Sequence, residues 1–322
     1  MLQQKGGFYP LFINGRPGSG KSTVLQYLFA QYLFEYSEQP DAIDPPIYLT
    51  YSAELLDTAR TTVTQLLSSN ALLIQGSKRV EAKRADELAR QTFYVFRDYL
   101  LKLLPESEQL EKEKYIHYPR FRKLYEERYR GSKLRNMAEI AWHVIRTYIK
   151  GCALEGDEYM SPDTYREFPK KQRSVTQETF EQVYKQVWEG WYLPLTQQEG
   201  YWDDQDLARV VLQAMTGERL ASQFKRHSVV FCDEAQDFTR NELRLILRLS
   251  TFSHRKLTPE VLNRIPFALA GDPFQTLNPT GFDWERAKEN LYSVIRDQLD
   301  RRKDPQLEFN YQELAFNYRS AN

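Results

Sequence analysis

The sequence predicts an α/β fold: a parallel sheet covered by helices on both faces, interrupted by a mainly helical insertion. Three observations carry this prediction. Short apolar runs end at polar or glycine-bearing loops, helical stretches follow them, and a long middle segment has a different composition.

The first apolar run, Phe8 to Asn14, leads through a glycine-rich turn into a helix predicted over Lys21 to Tyr36. Ile47 to Ser52 is the second, followed by a helix over Ala53 to Leu67. Ser228 to Asp233 and Pro266 to Gly271 are the third and fourth, with helices over Arg240 to Leu249 and Asp283 to Leu299. Such runs read as parallel strands, because a strand buried on both faces need not alternate apolar with polar residues. The middle, from about Phe96 to Met215, is rich in Arg, Lys, Tyr and Glu. Amphipathic helices are predicted there over Phe121 to Arg130 and Met137 to Lys150, with a looser connection over Gly151 to Arg173.

The whole chain has 322 residues, 44 Lys+Arg against 44 Asp+Glu, and 41% hydrophobic residues. This excludes global disorder and leaves room for about two domains. The neutral sum hides an asymmetry. Residues 112–150 hold eleven Lys/Arg and four Asp/Glu, whereas residues 151–222 hold seven against thirteen. The basic stretch carries Tyr115, Tyr118, Phe121, Tyr125 and Tyr129. It reads either as a set of solvated helix faces or as a track for a single strand, whose bases stack on rings while cations follow phosphates. Cys152 and Cys232 form no CxxC pair, and the four histidines lack ligand spacing, so neither a disulfide framework nor zinc is expected. No membrane-spanning run or signal peptide is evident, so the expected location is cytoplasmic, or nuclear in a eukaryote.

The strongest local signal is Gly15-Arg16-Pro17-Gly18-Ser19-Gly20-Lys21-Ser22, a GxxxxGK[ST] pattern between a predicted strand and a predicted helix. Its glycines let backbone amides curl around phosphates, and the helix N-terminus adds its positive dipole end. Lys21 would reach the β- and γ-phosphates, and the Ser22 hydroxyl would bind magnesium. A second strand ends in Asp233-Glu234-Ala235-Gln236-Asp237. Beside a phosphate loop, Asp233 suits the magnesium shell and Glu234 suits polarising the attacking water, while Asp237, ahead of Thr239, also suits helix capping. A third strand ends in Gly271-Asp272-Pro273-Phe274-Gln275, where a neutral amide can report on the γ-phosphate.

Together with the closing Asn317-Tyr318-Arg319-Ser320, these elements resemble superfamily 1 helicases of the UvrD/Rep/PcrA type. Further matches fall in order between them. Leu49 to Ala53 looks like the first strand-contacting segment, Thr92 to Phe96 like the TFHSF element, and Asp203 to Leu207 like the acidic DFDDLL run. The resemblance implies a P-loop (RecA-like) domain over residues 1–96 and 216–322, a helical subdomain over 97–215, ATP and magnesium as cofactors, and single-stranded DNA, or RNA, as partner. It implies that Tyr318 stacks on adenine and Arg319 contacts the γ-phosphate, joining Lys21, Ser22, Thr23, Asp233, Glu234, Gln236 and Gln275. Thr50, Tyr51, Thr92 and Phe93 would touch the strand.

The sequence also departs from the family pattern. Ser52-Ala53 stands for the TN pair, Thr23 for a frequent arginine, and TLNPTGFDW for a YGW-like run in which Phe282 or Trp284 either replaces the stacking ring or is core. No adenine-reading glutamine segment is evident upstream, since Gln3 and Gln4 lie close to the loop. The second RecA-like domain, with its cleft-crossing arginine, is expected outside these 322 residues, so the isolated ATPase is expected to be feeble. The resulting expectation is the ATP-binding half of a helicase or translocase, 3′ to 5′ by resemblance. A nucleic-acid-stimulated ATPase without unwinding, and a nucleotide-gated protein-interaction module, stand as alternatives.

Overall fold

A computed structural model describes residues 9–69, 80–153, 157–168, 170, 173–216, 224, 226–251, 264–272 and 310–314. The predicted helix over Asp283 to Leu299 lies outside them. Among the described residues the strands are β1 (Tyr9–Gly15), β2 (Ile47–Thr50), β3 (Phe93–Val95), β4 (Val230–Cys232), β5 (Arg264–Gly271) and β6 (Asn310–Leu314). They form one sheet in the order β3-β2-β4-β5-β1-β6, and every pairing is parallel. The register of β1 on β5 shifts between Tyr9 and Leu11, where Pro10 has no N–H to give to a ladder.

Helices α1 (Lys21–Glu38), α2 (Ala53–Ser69) and α3 (Ala82–Thr92) cover one face of the sheet. Leu11, Ile13, Tyr48, Phe231, Ala268 and Ala270 point into that layer. The ring of Phe29 on α1 meets Tyr48, Phe93 and Phe231 edge-on, with centroids 4.9 to 5.4 Å away, so three strands share one aromatic anchor. On the opposite face, α4 (Phe96–Leu103) packs with two helices from later in the chain onto Phe12, Ile47, Leu49, Val230, Phe267 and Leu269.

The middle segment builds its own core. Its helices are α5 (Tyr118–Arg128), α6 (Ala138–His143), α7 (Pro162–Glu167), α8 (Gln177–Gln182) and α9 (Leu193–Gln197). Two π-helical segments, Val144–Lys150 and Val183–Tyr192, continue α6 and α8 and pack against each other. Phe121, Tyr125, Tyr148, Tyr165, Phe180, Trp188 and Tyr192 are buried in this cluster, which runs from Ile116 to Leu195. The chain enters and leaves at one place: Tyr115 and Trp202 form a parallel bridge, with Ile116 N donating to the Trp202 carbonyl at 2.7 Å.

The remaining helices, α10 (Asp204–Thr216) and α11 (Arg240–Arg248), return to the sheet and complete its second layer with α4. Thr239 and Glu242 form a capping box at the start of α11. By packing, therefore, Phe96 to Leu104 and Leu207 to Ala214 belong to the sheet's core, and the separate helical core is confined to the residues between them.

Some rings of the aromatic-basic stretch 112–150 turn inward. Phe121 and Tyr125 are fully buried and hold the insertion together, so these two rings offer bases no stacking platform, while half-buried Tyr129 packs on Tyr125 and Trp191. Part of the basic surplus is internal as well, since Arg146 and Lys150 are buried against carboxylates.

Candidate nucleotide site

β1 ends at Gly15, and α1 begins at Lys21 after a tight loop. Gly18 and Gly20 have φ of 76° and 88°, a left-handed backbone that other residues rarely adopt. A Cβ on Gly20 would meet nothing within 4 Å, so its glycine serves the turn and not a close contact. The Lys21 side chain is buried and turns back so that Nζ donates to the carbonyl oxygens of Gly15 and Arg16, the latter at 3.1 Å. Ser19 Oγ is buried without a partner inside the loop. Arg16, Pro17 and Thr23 stand on the exposed side.

β4 delivers Asp233. Its Oδ2 accepts from the Tyr48 hydroxyl at 2.9 Å, its Oδ1 accepts from the Glu234 backbone N–H at 3.0 Å, and the Ser22 hydroxyl also bonds to it. Burial, then the neighbouring Glu234 charge, pushes the Asp233 carboxyl up to about 6. Tyr48, on β2, is pushed well above its ordinary range by burial and by Asp233, so it serves as a fixed donor.

Glu234 is the one non-glycine with positive φ, 53°, among the described residues. Backbone strain of this kind gathers where a side chain must be aimed. Its carboxylate accepts from the Gln236 amide, and Gln236 Oε1 accepts from the Asp272 backbone N–H at 3.0 Å. A Cβ on Gly271 would fall 2.6 Å from that Gln236 oxygen and 3.2 Å from the Gln236 backbone nitrogen, so a larger residue there would displace the Gln236 amide from its present bonds. The phosphate-loop pattern, the Asp233–Glu234 pair and the Gly271–Asp272 end thus sit on neighbouring strands, linked by Ser22–Asp233 and Glu234–Gln236–Asp272 bonds.

The residues expected to touch a strand are placed differently. Thr50 is buried at the end of β2. Thr92 is buried too, and its hydroxyl donates to the Leu88 carbonyl at 2.8 Å. Phe93 is 1% exposed and stacks on Tyr48 with ring centroids 4.8 Å apart, so neither ring face can take a base in this conformation. Tyr51 is half-buried, its ring on Phe96 and Phe238 and its hydroxyl donating to Glu242. Gln275, Phe282, Trp284, Tyr318 and Arg319 lie outside the described residues.

The acidic run at the start of α10 works internally. Asp203 and Asp206 hold Lys150 at 2.7 and 2.6 Å, and Asp204 takes Arg97 and the Tyr115 hydroxyl. Sequence reasoning missed Tyr48, Arg146 and Glu242. The available signal was the single arginine at position 146, set between the apolar pairs Val144-Ile145 and Tyr148-Ile149.

Among the described residues no group of three or more His, Cys, Asp or Glu could cage a metal. A hydroxyl and one carboxylate, Ser22 and Asp233, fit magnesium, which keeps waters and takes phosphate oxygens in place of a full protein cage. No described helix is long and apolar enough to cross a membrane.

The family profile described as UvrD/REP helicase N-terminal domain matches residues 6–298. No curated protein matches the chain.

Proposed function

The chain belongs to the UvrD/REP helicase N-terminal domain family, with a RecA-like parallel sheet and a helical insertion, and from that premise we propose that it is the ATP-hydrolysing half of a translocase on single-stranded DNA. The observation that carries this is the joining of a left-handed glycine loop at the start of α1 to Asp233 through Ser22. In this reading the loop amides, with the orphaned Ser19 hydroxyl, receive the phosphates, and Lys21 exchanges its loop carbonyls for phosphate oxygens. Ser22 and Asp233 would hold magnesium, which when bound neutralises phosphate charge. Tyr48 keeps Asp233 in place by its hydrogen bond. Glu234, aimed by its unusual backbone and steadied by Gln236, is placed to accept a proton from the attacking water.

Gln275, Arg319 and Tyr318 are assigned to the γ-phosphate and adenine by resemblance. Movement 3′ to 5′, RNA as an alternative strand, and a second RecA-like domain as partner rest on the same ground. We take residues 1–96 and 216–322 as the RecA-like unit, and the flanks of the segment between them, which pack in the sheet's core, as going with that body, so that the separate helical body lies between Tyr115 and Trp202.

The test is ATP turnover by the full-length protein with and without single-stranded DNA. Stimulation is expected, and Glu234→Gln is expected to keep nucleotide binding while lowering turnover at least about 100-fold. Equal rates with and without DNA and RNA would refute the translocase reading. Normal turnover by Glu234→Gln would remove Glu234 from the role of base.

A further inference from the structure

The insertion meets the α/β body through buried charge, and Arg146 stands where three segments converge. It belongs to the π-helical segment Val144–Lys150 and is 4% exposed. Its Nη2 lies 3.0 Å from the Tyr51 hydroxyl oxygen, 3.3 Å from the Asp237 carbonyl oxygen and 3.5 Å from Glu242 Oε2. Tyr51 in turn donates to Glu242 Oε1, which closes a triangle of arginine, phenol and carboxylate. Tyr51 sits just beyond β2 in the proposed strand-facing segment, whereas Asp237 ends the turn that begins with Asp233 and Glu234.

Stability alone explains this arrangement poorly. A buried ion pair is often no better than a packed apolar pair, and here Arg146 Nη1 and Gln205 Nε2 are buried without partners. Gln205 belongs to the same junction, since its Oε1 accepts from Thr239, which caps α11 together with Glu242. π-Helical turns are also unusual and recur at functional positions.

We propose that Arg146 is a positioning residue that ties the segment at Tyr51 to the Asp233–Asp237 turn, so that nucleic-acid stimulation of ATP hydrolysis passes through it. The proposal rests on the ATPase reading above and adds a residue contributed by the insertion. Tyr51 then acts through its hydroxyl, and a strand that shifts Tyr51 shifts the backbone next to Glu234.

The experiment measures kcat and KM for ATP in the full-length protein, with and without saturating thymidylate oligonucleotide, for wild type, Arg146→Met, Arg146→Lys and Tyr51→Phe. Losing a charged hydrogen bond at such a joint corresponds to about tenfold. Arg146→Met is expected to lower the stimulation ratio by about that factor with KM for ATP little changed, and Arg146→Lys to recover part of it. Tyr51→Phe, which removes one oxygen, should lower the ratio in the same direction, and the double variant should do no worse than the more affected single one. An unchanged ratio in either variant overturns the proposal, as does an equal fall in basal and stimulated rates. If Arg146→Met does not fold, Tyr51→Phe decides. A wild type indifferent to nucleic acid removes the ATPase reading and this proposal together, whereas a stimulated wild type with an unchanged variant removes this proposal alone.

Discussion

Replacing Lys150 by Met isolates the charge that fastens the insertion to the sheet. The Lys150 side chain is 2% exposed, and its ammonium is 2.7 Å from Asp203 and 2.6 Å from Asp206 and lies over the rings of Tyr192 and Trp188. Burial works against its charge, but the two aspartates outweigh that and hold it above its usual range. Methionine keeps most of the stem's packing, so the change mainly uncovers two buried carboxylates. Removing one partner of a buried pair costs about 3–5 kcal/mol, a large part of the roughly 5–15 kcal/mol that stabilises a typical protein. With a urea m value of about 3 kcal/mol per M, the unfolding midpoint should fall by roughly 1 to 1.7 M.

The deficit should also depend on pH. Even with Lys150 present, burial and then Asp203 push Asp206 up to about 6. Without the cation Asp206 rises further, and Asp203, which burial pushes up but Lys150 holds below its usual range, rises as well, so the folded state holds protons that the unfolded chain, near pKa 3.9, releases. Stability of the variant therefore increases as pH falls, and the gap to wild type should be widest near pH 8 and narrow toward pH 5. Adding Asp203→Asn and Asp206→Asn should restore most of the loss. A drop under about 1 kcal/mol at pH 8, or a gap independent of pH, would refute the reasoning.

Two further outcomes are expected. His227 is buried between the Tyr99 hydroxyl and the Pro45 carbonyl, and burial lowers its pKa to about 4. The unfolded chain takes up a proton near 6.5, so this contribution is full above that pH and is lost as pH falls toward 4, about 3 kcal/mol in all. His227→Gln should flatten the acid limb of the stability curve, and an unchanged limb would rule the histidine out. Gly151→Ala should destabilise the protein by about 1–3 kcal/mol in urea unfolding, although its backbone is right-handed. The new methyl would lie 2.8 Å from the Thr147 carbonyl oxygen and 3.0 Å from Thr239 Cβ, so a neutral effect would mean the junction yields easily.

β1, β2, β4 and β5 were legible because each carries an apolar run, which is what a strand covered on both faces requires. β3 and β6 were not, and both are edge strands. One has three residues, too few to show a period, and the other, Asn310–Leu314, carries polar residues that an edge tolerates. The phosphate loop and Asp233 were readable because their chemistry fixes residue types at short spacing. Tyr48, Arg146 and Glu242 were not, because each meets partners far away along the chain. The aromatic-basic stretch stayed open between two readings for a related reason: composition does not tell which rings face inward, and Phe121 and Tyr125 do.

The bridge between Tyr115 and Trp202 sets the two ends of the helical body side by side. Because the chain departs and returns at adjacent points, the helical body is topologically an outgrowth, and a short connector could span its base without rerouting the sheet. Electrostatically it is no outgrowth. Asp203, Asp206 and Glu242 stay with the α/β body while Lys150 and Arg146 belong to the insertion, so excising the outgrowth would strip those carboxylates of their counter-charges. The two bodies are separable as cloth is at a seam, yet each carries half of the stitching.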